Sequence, residues 1–125
     1  MPGVETRTML IYSEGVAKGL ITPNRFVRVC ASNPAKLFGI YPKKGAIQPG
    51  SDADLIIIEP NRKSRVTVDD LHENVDYTPY EGFEITGRIE YTIARGEIIA
   101  QDGNFIGKKG RGEFLPRNIP ALALA

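Results

Sequence analysis

The sequence has 125 residues, with one cysteine, Cys30, and one histidine, His72. A single cysteine excludes an internal disulfide framework and fits a reducing cytoplasm. A single histidine provides one imidazole base at most. It also falls short of the three protein ligands, often mostly histidines, of a catalytic zinc site. The net charge is only +1, so nothing steers the chain toward nucleic acid or anionic lipid. The longest purely apolar stretch is Leu55-Ile56-Ile57-Ile58, far short of the ~20 residues of a membrane helix. There is no basic start followed by an apolar run and a small-residue cleavage site, so secretion is unsupported. No Gly-x-Ser-x-Gly elbow is present. Gly107-Lys108-Lys109-Gly110-Arg111-Gly112 lacks the strand before it and the helix after it that a phosphate loop needs. Its lysines and arginine read as a solvated loop. Internal repeats are absent as well.

What is present is an ordinary globular composition, 42% hydrophobic and 25% charged, in a length that suits one domain at most. Met9, Tyr12, Val16 and Leu20 recur at three- and four-residue steps, which predicts a helix over 5 to 19 with one apolar stripe. Gly19 is its stop. Thr22-Pro23 opens a second helix, with threonine as cap and proline at the first position. Phe26, Val27, Cys30 and Ala31 form its apolar face, where Cys30 reads as a small buried hydrophobe. Asn33-Pro34 is expected to interrupt this helix and to restart a short one that Gly39 ends.

From Tyr41 onward turns and short strands dominate. Gln48-Pro49-Gly50-Ser51 is a turn. Asp54 to Glu59 predicts a strand buried on both faces, and Arg65 to Val68 alternates as a further strand would. Residues 69 to 82 have no clean period and read as a long, ordered connection. Arg88 to Arg95 alternates, with Ile89, Tyr91 and Ile93 on one face. Arg95-Gly96 leads into a strand over 97 to 100. Asp102-Gly103 is a strong hairpin signal. The stretch 119 to 125 specifies no structure. Helices followed by strands, without βα alternation, give an α+β class or parts of two domains.

The residues offer little chemistry of their own. Asp69, Asp70, His72 and Glu73 form the one cluster that could hold a metal loosely; a solvated loop or an acidic helix start is the simpler reading. A stand-alone enzyme built on His72 is poorly supported.

Four stretches together resemble the C-terminal region of the dihydropyrimidinase and D-hydantoinase group of cyclic amidohydrolases. They are Met1-Pro2-Gly3-Val4-Glu5-Thr6-Arg7 with Tyr12-Ser13-Glu14-Gly15-Val16; Asn33-Pro34-Ala35-Lys36-Leu37-Phe38-Gly39 with Pro42-Lys43-Lys44-Gly45; Gly45-x-Ile47-x-x-Gly50-Ser51-Asp52-Ala53-Asp54-Leu55; and Val75-Asp76-Tyr77-x-x-Tyr80-Glu81-Gly82. The third resembles a broader amidohydrolase signature, and the fourth is the most specific to the group. Gly87-Arg88-Ile89 departs from the pattern, since many relatives have Gly-Trp-Pro there.

The resemblance implies terminal helices of a (β/α)8 barrel over 1 to 39, strands of an accessory β-sandwich over 40 to 112, and a tail over 113 to 125, as an incomplete fragment. It implies a metal-dependent hydrolase of cyclic amide C–N bonds. The binuclear zinc centre of such enzymes lies on histidines, a carboxylated lysine and an aspartate upstream of this stretch. The expectation is therefore a chain with no catalytic residue and no metal of its own, inactive alone. Pro2, Gly3, Val4 and Glu5 would border the substrate pocket. Expected partners are the missing barrel portion or a second copy in a homo-oligomer. The alternative is a non-catalytic assembly module, as in the collapsin response mediator proteins, which resemble these hydrolases but lack the metal ligands.

Overall fold

The computed structural model describes residues 2–118. α1 spans Val4–Ile11 and continues without a break into a wider π turn, Tyr12–Ala17. Gly19 follows with a left-handed φ of 73°, ending the helix where the sequence predicts. Met9 is buried and Tyr12 and Val16 are half-buried, but Leu20 is exposed. The amides of Leu20 and Ile21 both donate to the Gly15 carbonyl. The wider turn thus carries the last member of the expected stripe off the apolar face.

α2, Pro23–Val27, begins as predicted. Thr22 Oγ1 accepts the Arg25 N–H at 3.2 Å, and Pro23 takes the first helical position. The expected interruption at Asn33-Pro34 does not occur. A π turn, Arg28–Ser32, joins α2 directly to α3, Asn33–Leu37, and the backbone stays helical through Ser32 and Asn33. In α geometry a proline ring presses on the carbonyl four residues back. Here the π turn widens the helix just where that carbonyl stands. α3 ends with the Ile40 amide donating to the Ala35 carbonyl at 2.9 Å and Gly39 to Lys36 at 3.2 Å, the two bonds of a Schellman motif. Of the expected apolar face, Phe26 is buried and meets Tyr12 edge-on with ring centroids 5.6 Å apart. Cys30 and Ala31 are half-buried, and Val27 is exposed.

The rest is an antiparallel sheet of four strands in the order β1-β2-β3-β4: Leu55–Arg65, Glu84–Ala94, Glu97–Gln101 and Asn104–Phe105. β1 joins two stretches that the sequence separates. Its pairing with β2 slips between Glu59 and Lys63, and Pro60 sits in that slip, where a missing N–H breaks no ladder bond. The alternating Arg65 to Val68 is not a separate strand. β1 ends at Arg65, and Val68–Asp70 is a 3-10 turn. Both short hairpins have positive φ at the two central residues: Arg95 48° and Gly96 80°, Asp102 49° and Gly103 85°. That is the type I′ geometry whose twist matches the strands.

One expectation about burial is overturned. Ile56 and Ile57 are 41% and 45% exposed. Successive strand residues point to opposite faces, so both faces of the sheet are open at this point. The strand forms, but its cover is not among the described residues. The helices cover part of one face farther along. Ser13 Oγ accepts the Thr86 N–H at 3.0 Å, and Gly87 lies flat beneath Tyr12 and Met9. The molecule is thus α+β, as the sequence predicts. Of the predicted tail, 113 to 118 is described, and the Asn118 amide donates to the Gly39 carbonyl at 2.8 Å. The stretch 119 to 125 lies outside the described residues. No helix among the described residues is long and apolar enough to cross a membrane.

Candidate functional site

The loop Pro2-Gly3-Val4-Glu5 opens α1 without a side-chain cap of its own. In a capping box the residue three places after the cap would accept the cap's N–H. Here that residue is Thr6, which is buried and whose hydroxyl turns back to the Gly3 carbonyl at 3.4 Å. The acceptor comes from far along the chain instead: Gly3 N–H donates to Glu73 Oε1 at 2.9 Å. Glu5 answers in the opposite direction. Its Oε2 accepts the His72 backbone N–H at 2.8 Å, and its Oε1 lies 2.9 Å from His72 Nδ1. Each segment thus lends a carboxylate to the other's backbone. The Tyr80 ring lies against Gly3 on the same side. Beside this clamp an open concavity is lined by Glu5 and His72 on one wall and by Ile89, Thr92, Ala100 and Phe105 from the sheet.

Sequence reasoning singled out the loop over 2 to 5 and the cluster over 69 to 73 separately. It missed that they meet, because no periodicity links residues about seventy positions apart. The meeting also dissolves the cluster as a metal candidate. Asp70 accepts the Thr67 hydroxyl at 2.8 Å in the 3-10 turn, while His72 and Glu73 are turned to the clamp. Among the described residues no group of three or more His, Cys, Asp or Glu is placed to hold a metal ion. The residues present do not fit a binuclear zinc centre. Burial pushes the Cys30 thiol pKa up against the opposing pull of Arg7, which disfavours the thiolate.

The stretch Gly45 to Leu55 has a structural task. Lys44 Nζ lies 2.9 Å from Asp52 Oδ2 and pairs also with Asp54, while Lys43 reaches the other oxygen of Asp52. Asp54 Oδ1 accepts the Arg95 N–H at 2.7 Å, and the Gly96 amide donates to the Ala53 carbonyl at 3.0 Å. Asp54 therefore moors this loop to the β2–β3 turn, while Asp52 ties it to Lys43 and Lys44. Hydrogen bonds from Lys43 and then Lys44 hold the Asp52 pKa low. Burial pushes Asp54 up, but hydrogen bonds from Lys44 and the Arg95 amide outweigh it and leave it lowered. Lys44 is pulled down by burial yet raised overall by Asp54 and Asp52.

These shifts set the signs of a pH response. The lowered aspartates stabilise the fold above their unfolded value of ~3.9, and that contribution disappears as pH falls through their lower folded values. The raised lysine stabilises it below ~10.4, and its contribution is lost as pH rises through the folded value. Urea midpoints measured from pH 2 to 7 are expected to fall in acid for the parent and to fall less for the Asp52→Asn, Asp54→Asn double variant. Parallel curves would refute the mooring.

The Gly-rich basic segment is not the solvated loop predicted throughout. Lys108 and Lys109 are exposed, but the Arg111 guanidinium donates to the Ala94 carbonyl at 2.7 Å, and its own carbonyl accepts from Arg95. Arg88, in the departing Gly-Arg-Ile segment, donates to the Asp102 carbonyl at 2.9 Å, while Arg62 pairs with the Asp102 carboxylate at 2.9 Å.

Comparison with known proteins places this arrangement. The model of the amidohydrolase family matches residues 3–99. A D-phenylhydantoinase of Escherichia coli is 50% identical over 117 residues, which is 94% of this chain and 25% of that protein. The D-hydantoinase (dihydropyrimidinase) of a Thermus species superposes with a TM-score of 0.90 at 43% identity, covering 94% of this chain and 26% of that one. The L-hydantoinase (dihydropyrimidinase) of Arthrobacter aurescens superposes with a TM-score of 0.88 at 38% identity, covering 92% and 26%. This part of the fold is thus shared by relatives named for opposite stereochemistry. The chain spans about a quarter of the length of the relatives it matches. By its residues and its fold, the chain belongs to the amidohydrolase family, and its relatives there are hydantoinases and dihydropyrimidinases.

Proposed function

We propose that this chain is the C-terminal part of a metal-dependent hydrolase that opens cyclic amide rings of the dihydropyrimidine or hydantoin type, and that it is inactive alone. The observation that carries the proposal is the close match to a quarter of a hydantoinase. In this reading the helices over 4 to 37 close a (β/α)8 barrel and the sheet belongs to a β-sandwich beside it. The open faces at Ile56 and Ile57 then receive strands from elsewhere in the protein. The zinc centre belongs to residues outside this chain, and the loop over 2 to 5 borders the substrate pocket.

The test is a graft. This chain replaces the matching quarter of the E. coli D-phenylhydantoinase, and hydrolysis of hydantoin and dihydrouracil is followed with zinc supplied. The graft is expected to open at least one of the rings, and the chain alone neither. A folded graft without activity, or activity in the chain alone, would overturn the proposal.

One feature favours the second reading, a non-catalytic assembly module. β1 lies at the edge of the sheet with apolar residues exposed on both faces, a surface suited to a second copy. Sedimentation of the chain as a defined homo-oligomer, together with an inactive graft, would favour that reading.

A further inference from the structure

We propose that Glu73 is a positioning residue for the loop Pro2-Gly3-Val4-Glu5, holding it through the Gly3 amide, with the Glu5–His72 pair as a second tie. The inference rests on the reading that this loop borders the substrate pocket.

The loop has little else to hold it. Val4 is 78% exposed, and no side chain of α1 caps the helix start. Its two long-range hydrogen bonds to backbone amides, Gly3 to Glu73 and His72 to Glu5, run in opposite senses between the same two segments. A pair of opposed bonds fixes orientation as well as distance, which a single bond does not. Both bonds to backbone amides involve a carboxylate acceptor, the stronger class of hydrogen bond.

Glu73 is also an expensive choice if local folding were its only task. Its Oε2 is buried without a hydrogen-bond partner among the described residues, and a buried acceptor left unpaired is destabilising. An asparagine or serine nearer the helix start could cap it without that penalty. Tyr80, within the stretch Val75 to Gly82 that is most specific to the resemblance, lies against Gly3. The connection thus meets the loop through His72, Glu73 and Tyr80. Glu73 acts through the loop, so its effect falls on substrate binding.

Two measurements test this. In the chain itself, Glu73→Ala is expected to speed hydrogen exchange at the Gly3 amide about tenfold, the order expected for losing one hydrogen bond to a charged group. Amides within β2 should be unaffected. Glu73→Gln keeps an oxygen in place and should restore most of the protection. In the active graft, Glu73→Ala is expected to raise KM about tenfold with kcat changed less than about twofold, and Glu73→Gln to bring KM back near the parent value. Unchanged Gly3 exchange overturns the clamp. An active graft whose KM ignores Glu73→Ala, or whose kcat falls instead, overturns the positioning role alone. An inactive parent graft overturns the functional reading, a result distinct from either.

Discussion

Replacing Gly87 by alanine is expected to leave little folded protein. Gly87 sits in β2 with φ of 95°, a backbone conformation that strains a residue bearing a Cβ by roughly 1–3 kcal/mol. A Cβ there would stand 2.6 Å from two ring carbons of Tyr12 and 3.2 Å from Met9 Cε. Tyr12 cannot easily give way, since Phe26 meets it edge-on. Overpacking of this kind costs roughly 1–3 kcal/mol, so the two effects together reach about 2–6 kcal/mol. Small domains have a net stability of only ~5–15 kcal/mol. The buried apolar side chains among the described residues are Met9, Phe26, Ala35 and Val66, a small core. Far-UV circular dichroism against urea should show the Gly87→Ala midpoint far below the parent or no transition at all. A midpoint shift of under about 1 kcal/mol would mean that helix and sheet do not meet as described. The position has its own logic within the sheet. The neighbouring pairs are Arg88 with Glu59 and Thr86 with Lys63, so Gly87 faces the slip in β1, the kind of place where strand glycines gather.

Gly45→Ala is the second large expected loss, and Gly50→Ala is its control. Both glycines have left-handed φ, 78° and 89°, so alanine carries a similar backbone strain at each. Their surroundings differ. A Cβ on Gly45 would stand 2.6 Å from Ala35 Cβ and 2.9 Å from the Ala31 carbonyl oxygen, whereas one on Gly50 would meet nothing within 4 Å. The Gly45 carbonyl is held as well, accepting the Ser32 hydroxyl at 2.8 Å. We expect Gly50→Ala to lose about 1 kcal/mol and Gly45→Ala about 3 kcal/mol, read as thermal or urea midpoints of the two variants side by side. Equal losses would show that the close approach to the helix is not what requires glycine at 45.

Local chemistry was the part most legible in the sequence. Thr22-Pro23 starts a helix, Asp102-Gly103 makes a hairpin turn, and Gly19 follows the end of the first helical stretch, because each depends on atoms a few bonds away. The helix through Pro34 was not legible, since a π turn is a collective adjustment that no single residue announces. The exposure of Ile56 and Ile57 was not legible in the run itself, only in the resemblance, which implies an incomplete fragment. Their apolar run states that cover is needed but not whether this chain supplies it. The candidate site divides in the same way. The residues over 2 to 5 were recognisable as a motif, and His72 and Glu73 as titratable neighbours. That the two segments hold each other is a tertiary fact, fixed by how the connection over 69 to 82 folds back on the start of α1. The signature Gly50-Ser51-Asp52-Ala53-Asp54 could be recognised without its task being visible; only the Arg95 amide against Asp54 reveals it as a mooring.

The clamp between the two segments also bears on time. Its hydrogen bonds close spans of 70 and 67 residues, while the turns of the β2–β3 and β3–β4 hairpins span only a few. Long closures carry the larger entropic penalty and form late, whereas helix turns and tight hairpins form in microseconds or less. The loop over 2 to 5 comes early in the chain yet takes its shape only once the connection that holds it is in place, a closure as long as the one between Ser13 and Thr86. A form that lacks residues 72 and 73 would leave the loop without its long-range ties, whatever becomes of the rest of the chain.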